Sequence, residues 1–241
     1  MSTFVLVHGA WRGSWCWNRV RRGLQAQGYE VFTPTLTGLS ERRHLASRDI
    51  DLNTHVDDVV NLIVHEDLTD VVLCGHSYAG AVITGVGDRI PERIEALVYL
   101  DAFTPKDGES LHDQLAPEVA QAQVDQANET GDGWLVRPIP AEAFNVNEAD
   151  RAWVDAQCTP QPLATFQQKL RLTGDIEKVG KVTYILASGW GNPTPFTAIH
   201  AQARANGWTT RELDCGHDVM LDMPDELVAE LLAARDAAPV R

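Results

Sequence analysis

Apolar residues along the chain fall into short continuous runs separated by stretches of helical spacing. Phe4-Val5-Leu6-Val7 is such a run, the pattern of a strand buried on both faces. Gly9 and Gly13 interrupt it; Ser14 is placed to cap a helix over about 15–27, which Gly28 closes. Glu30-Val31-Phe32-Thr33 predicts a second strand ended by Pro34, and a polar, loop-like stretch runs from 34 to about 52. Val56, Val59, Val60, Ile63 and Val64 recur at helical spacing. Val71-Val72-Leu73-Cys74 predicts a third strand, followed by a helix over about 78–88, and Ala96-Leu97-Val98-Tyr99-Leu100 a fourth. Residues 182–187 and 209–213 predict the fifth and sixth, and a last helix starting near Pro224 carries Leu227, Val228, Leu231 and Leu232.

Strands that alternate with helices imply parallel βαβ units. The expected fold is α/β: a mostly parallel six-stranded sheet with helices on both faces. The alternation stops between 103 and 178, a Pro-, Gln- and Ala-rich block with helical pieces and no clear strand. That block is expected to be a helical cap inserted over the C-terminal edge of the sheet, with 1–102 and 179–241 as the core.

At 241 residues the chain suits one α/β domain with an insertion. The net charge of −14 would repel a phosphate backbone, which argues against nucleic acid as a partner. No run approaches the roughly 20 apolar residues that span a bilayer. Met1-Ser2-Thr3 leads straight into the first strand without the basic region of a signal peptide, so a cytoplasmic protein away from membranes is expected. Cys16, Cys74, Cys158 and Cys215 form no C-x-x-C pair, which points to free thiols rather than zinc.

Candidate chemistry begins at Gly75-His76-Ser77-Tyr78-Ala79-Gly80, between the third strand and its helix. A serine on a sharp strand-to-helix turn needs small residues two positions to either side, here Gly75 and Ala79, and is held exposed at the sheet edge. A serine that only caps a helix is the competing reading; the flanking strand and helix favour Ser77 as nucleophile. Its base should follow the last strand, where Gly216 can turn His217 back toward Ser77. His8 and His76 flank the site and should bond loop backbone, His44, His55, His65 and His112 read as surface or cap histidines, and His200 lies on a predicted surface helix. Two backbone donors are needed for a tetrahedral oxyanion, and the candidates are the N–H groups of Ala10 and Tyr78.

Val7-His8-Gly9-Ala10-Trp11, the Ser77 motif and Gly216-His217 resemble the plant methylesterase and hydroxynitrile lyase group of α/β-hydrolases and small bacterial esterase-like relatives. The likeness extends to Trp15, Trp17 and Leu100-Asp101-Ala102-Phe103-Thr104-Pro105. It implies a helical cap and neither a metal nor an organic cofactor. The lyases of this type carry a threonine at the position of Gly9 and a lysine at that of Asp218. Gly9 offers no side chain and Asp218 the wrong charge for cyanide, which favours ester hydrolysis. The plant relatives take the histidine's acid partner from the loop after the penultimate strand, but Ser188-Gly189-Trp190-Gly191-Asn192-Pro193 holds no carboxylate. Asp101, at the end of the strand after the nucleophile's, completes the order Ser77, Asp101, His217. Asp175, Asp214, Asp218, Asp222 and Asn192 are the weaker candidates, and Asp101 could instead bind backbone N–H groups at the cap entrance.

Trp11, Trp15, Phe103, Trp134, Phe144, Phe166 and Trp190 form the pool for an apolar pocket, with Trp11 and Phe103 first; core packing is the competing use of such rings. The expected activity is a serine carboxylesterase acting on small, aromatic or methyl esters or lactones through an acyl-enzyme. The alternatives are a non-hydrolytic lyase using the same serine and histidine, and a non-catalytic module for small ligands. A small-molecule substrate is the expected partner, with a homodimer left open.

Overall fold

The six segments read as strands lie in one sheet. The computed structural model describes residues 2–190, 194–237 and 239. In chain order its elements are β1 (Thr3–Val7), α1 (Asn18–Ala26), β2 (Glu30–Phe32), α2 (Leu52–His65), β3 (Val71–His76), α3 (Ala79–Arg89), β4 (Ile94–Leu100), α4 (Pro117–Thr130), β5 (Leu135–Val136), α5 (Glu148–Gln157), β6 (Gln161–Pro162), α6 (Ala164–Gln167), β7 (Val182–Ala187), α7 (Pro195–Ala205), β8 (Thr209–Leu213), α8 (Val219–Asp222) and α9 (Pro224–Arg235). The six-stranded sheet has the order β2-β1-β3-β4-β7-β8, and all of its pairs are parallel.

Period-2 geometry divides each strand between two apolar layers. Phe4, Leu6, Val72, Cys74 and Val98 pack on one face with Val20 and Leu24 of α1 and Leu227, Val228 and Leu231 of α9. Val5, Val7, Leu73, Leu97 and Tyr99 pack on the other with Val56, Val59 and Ile63 of α2 and Val82, Ile83 and Val86 of α3. All of β1 and β3 is buried, which is why both read as unbroken apolar runs rather than alternating ones. Full burial of each Val, Leu or Phe here contributes about 1.5–3 kcal/mol.

The strand order reverses between β1 and β3. Chain segments leave the carboxyl ends of these two strands in opposite directions, so a crevice opens there. The loops carrying Ala10 and Ser77 both start at that crevice.

Three local features differ from the sequence expectation. A 3-10 turn over Ser14–Trp17 precedes α1, and another over Ser40–Leu45 lies in the loop-like stretch. The insertion between β4 and β7 contains a two-stranded antiparallel ribbon, β5 with β6. Strands of two residues, one of them containing Pro162, fall below any periodic signal. Among the described residues no helix is long and apolar enough to cross a membrane.

Candidate active site

Ser77 sits between the end of β3 and the start of α3 with φ of 55°, a left-handed conformation disfavoured for a residue with a side chain. Its backbone is tied on both sides: the N–H donates to Leu100 O at 3.1 Å, and its carbonyl accepts from Gly80 at 3.0 Å and Phe103 at 3.2 Å. A Cβ on Gly80 would lie 2.0 Å from Phe103 O. The tightest approach of α3 to the chain leaving β4 is therefore at position 80, which explains why an alanine can stand at 79.

Asp101 leaves β4 in a second left-handed bend, φ 43°, with its N–H bonded to Ile185 O at 2.7 Å. Its fully buried carboxylate accepts the Ala187 N–H on Oδ1 at 3.1 Å and meets His217 Nδ1 at 2.7 Å through Oδ2. A carboxylate there fixes the proton on Nδ1 and leaves Nε2 as an acceptor. Desolvation by burial pushes Asp101 up, against the Ala187 N–H that favours its ionised form. Desolvation also pushes His217 below its ordinary value, so the imidazole is neutral at rest.

His217 is held in a box of rings. Phe144 from the insertion and Phe196 from α7 stack on it, each with centroids 5.1 Å away, and Trp190 meets it edge-on at 4.8 Å. Its N–H donates to Phe144 O at 2.9 Å. His76, 4.4 Å away ring to ring, donates from Nε2 to the His217 carbonyl at 2.9 Å. His8 likewise bonds loop backbone, to Gly9 O at 2.8 Å and the Leu36 N–H at 3.0 Å.

Across the crevice, the N–H groups of Ala10 and Tyr78 donate to no protein acceptor among the described residues. The residue after Ala10 is clamped by the insertion. Trp11 has φ of 64°; its N–H donates to Gln161 Oε1 at 2.9 Å, its carbonyl accepts the Thr159 N–H at 2.9 Å, and its indole N–H donates to Val136 O at 3.1 Å. The Tyr78 side chain points away to His55, its hydroxyl 2.8 Å from Nδ1, while Nε2 bonds Thr37 O at 2.9 Å. His55 is thus a buried partner of the elbow and not the surface residue its position suggested. His200 is also buried, beside Tyr184.

Ser77, His217, Ala10 and Tyr78 share one cavity of about 200 Å³. Trp11, Phe103, Phe144, Phe166 and Trp190 line it, together with Phe196, Leu111 and Leu115, which the sequence did not single out. Trp15 packs instead against Trp153, and Trp134 lies under Arg48. A larger groove of about 710 Å³ lies elsewhere and contains neither Ser77 nor His217.

Of the other acids considered, Asp175 pairs with Lys178 and Asp222 accepts from Asn147. Asp218 is fully buried in a two-pronged ion pair with Arg12, 2.6 Å from Nε and 2.5 Å from a terminal nitrogen. Asn192 falls outside the described residues. At Gly9, a Cβ would come within 2.7 Å of His76 Nδ1, so a threonine does not fit without moving that ring. Among the described residues no group of three or more His, Cys, Asp or Glu is arranged to hold a metal ion.

The sequence profile of the alpha/beta hydrolase family matches residues 4–231. A carbendazim hydrolyzing esterase of Nocardioides sp. (strain SG-4G) is 46% identical over 242 residues, covering 97% of this chain and 99% of its own. The pFDCC methylesterase MES16 of Arabidopsis thaliana is 26% identical over 254 residues, covering 96% and 93%. Among solved structures, an extracellular alpha/beta-hydrolase from a Paenibacillus species superposes with a TM-score of 0.83 at 25% identity, covering 97% of this chain and 98% of that one.

Proposed function

The chain belongs to the alpha/beta hydrolase family and is a carboxylic ester hydrolase, and we propose that it cleaves small, neutral, flat aromatic esters through an acyl-enzyme on Ser77. The observation that carries this reading is the cavity itself: Ser77 and His217 both line a space with almost no charge on its walls.

In the first half-reaction Ser77 Oγ attacks the ester carbonyl while His217 Nε2 takes its proton. The imidazolium so formed is stabilised by Asp101 at Nδ1. Ala10 and Tyr78 donate their free N–H groups to the oxyanion. Collapse expels the alcohol, protonated by His217; water then attacks the acyl-enzyme by the same route in reverse. The insertion, 103–178, acts as a cap that supplies the acyl-side wall. A methyl ester suits the site, since the relatives are named as a carbendazim hydrolyzing esterase and as methylesterases. Carbendazim and methyl esters of one- or two-ring aromatic acids are the substrates to try first. All four cysteines are free, in keeping with a reducing, cytoplasmic setting.

The test is hydrolysis of a short-chain p-nitrophenyl ester and of methyl benzoate by the wild type and by Ser77→Ala. Activity on both esters that vanishes with Ser77 is expected. Turnover that survives the substitution removes Ser77 from the mechanism, and no turnover of methyl benzoate beside good p-nitrophenyl ester activity rejects the methyl aromatic class.

A further inference from the structure

Arg12 lies immediately beyond the clamped Trp11, and Asp218 immediately follows His217. Both side chains are buried, the arginine 2% exposed and the aspartate 0%. The fork of the guanidinium meets both carboxylate oxygens, and its remaining terminal nitrogen donates to Ala10 O at 3.2 Å. The same guanidinium lies 5.0 Å over the ring of Phe144, the ring that stacks on His217. The backbone carbonyl of Asp218 accepts the Leu221 N–H at 2.8 Å, and the residue immediately precedes α8. One buried cation therefore touches the Ala10 loop, the His217 loop and the insertion.

Burying an ion pair of this kind is a poor way to gain stability, because desolvation offsets most of the attraction. Geometry is what it supplies. We propose that Arg12, through Asp218, is a positioning residue for the ester hydrolysis, locking the spacing between the Ala10 N–H and the His217 imidazole. The proposal rests on the reading in which Ala10 binds the oxyanion and His217 is the base.

The pair also sets the field at the imidazole. The titratable groups facing His217 are Asp101 from the exit of β4, His76 from the end of β3, Asp218 beside it and Arg12 behind that. The faces from the insertion, from α7 and from Trp190 are uncharged aromatics. Asp218 favours the imidazolium and Arg12 opposes it. Removing one partner alone must move the acid limb of kcat/KM, and the two single removals must move it in opposite directions.

The experiment compares Arg12→Met, Asp218→Asn and the double variant combining Arg12→Met with Asp218→Leu, using p-nitrophenyl acetate from pH 4 to 9. The double variant leaves no unpaired buried charge, so it stays testable if a single variant fails to fold; thermal unfolding reports this. Expected is a kcat about tenfold or more below wild type in the folded double variant, with KM within about twofold. The acid limb should move up in Arg12→Met and down in Asp218→Asn. A folded double variant with wild-type kcat overturns the proposal, as do single variants whose limbs stay in place. Ser77→Ala is run beside them: activity surviving there sinks the underlying reading instead, independently of what Arg12 does.

Discussion

Below the cavity, Ser77, Asp101 and His217 stand where parallel strands end, and the backbone around them is bonded strand to strand, as in Ser77 N–H to Leu100 O and Asp101 N–H to Ile185 O. Above it, the insertion reaches the cavity through apolar side chains such as Leu111, Leu115, Phe144 and Phe166. Chemistry on the floor depends on atoms held within tenths of an ångström, whereas the roof needs only shape and dryness. The clamp on Trp11 departs from this division, because there the roof holds part of the floor in place.

Three substitutions or conditions test how far that division goes. Asp101→Asn should fold with the hydrogen-bond frame intact and lose kcat by about 10⁴-fold with KM little changed, since the amide cannot stabilise an imidazolium. A loss below tenfold in steady-state kinetics would mean another group orients His217. Acid comes next. Burial holds His8 down to about 4, His76 well below its ordinary value, and His55 and His217 below theirs, and none of the four lies in the insertion. The unfolded chain takes up protons at these imidazoles from about pH 6.5 downward while the native chain does not. Stability is therefore flat above pH 7 and falls on acidification, by about 1.4 kcal/mol per pH unit for each imidazole. Urea midpoints measured at pH 7.5, 6 and 5 should fall in that order; equal midpoints would show the four are solvated. The smallest effect is expected for Gln161→Leu, which leaves the Trp11 N–H without its acceptor. The Ala10 donor should then lose about 10- to 100-fold in kcat on every ester alike. A change in KM alone, different for each substrate, would return Gln161 to the ordinary roof.

The same division governs what could be read from the sequence. Strands buried on both faces leave apolar runs, so β1, β3, β4 and β7 were visible in order, whereas β8, Thr209–Leu213, buries only Leu213 and carries no such run. Ser77 stands out because a sharp strand-to-helix turn demands small neighbours, and Asp101 because it follows the strand after the nucleophile's and completes the order Ser77, Asp101, His217. The Arg12–Asp218 pair was not visible: 206 positions separate its members, and a buried charge looks in sequence like a surface one. Gln161 is 150 residues from Trp11 and lies in a two-residue strand with no pattern of its own. His55 reads as an exposed position on α2, and only the fold brings it to Tyr78. Phe196 begins a helix beside residues outside the described set, and nothing local marks it as facing a cavity.

Two of the chain's seven tryptophans, Trp11 and Trp190, border the cavity, and the other five do not. Indole emission shifts with the polarity around the ring, so an aromatic acyl group arriving beside these two alters the light the protein gives out. The enzyme thus carries its own optical gauge of occupancy, read without a label and without waiting for a bond to break.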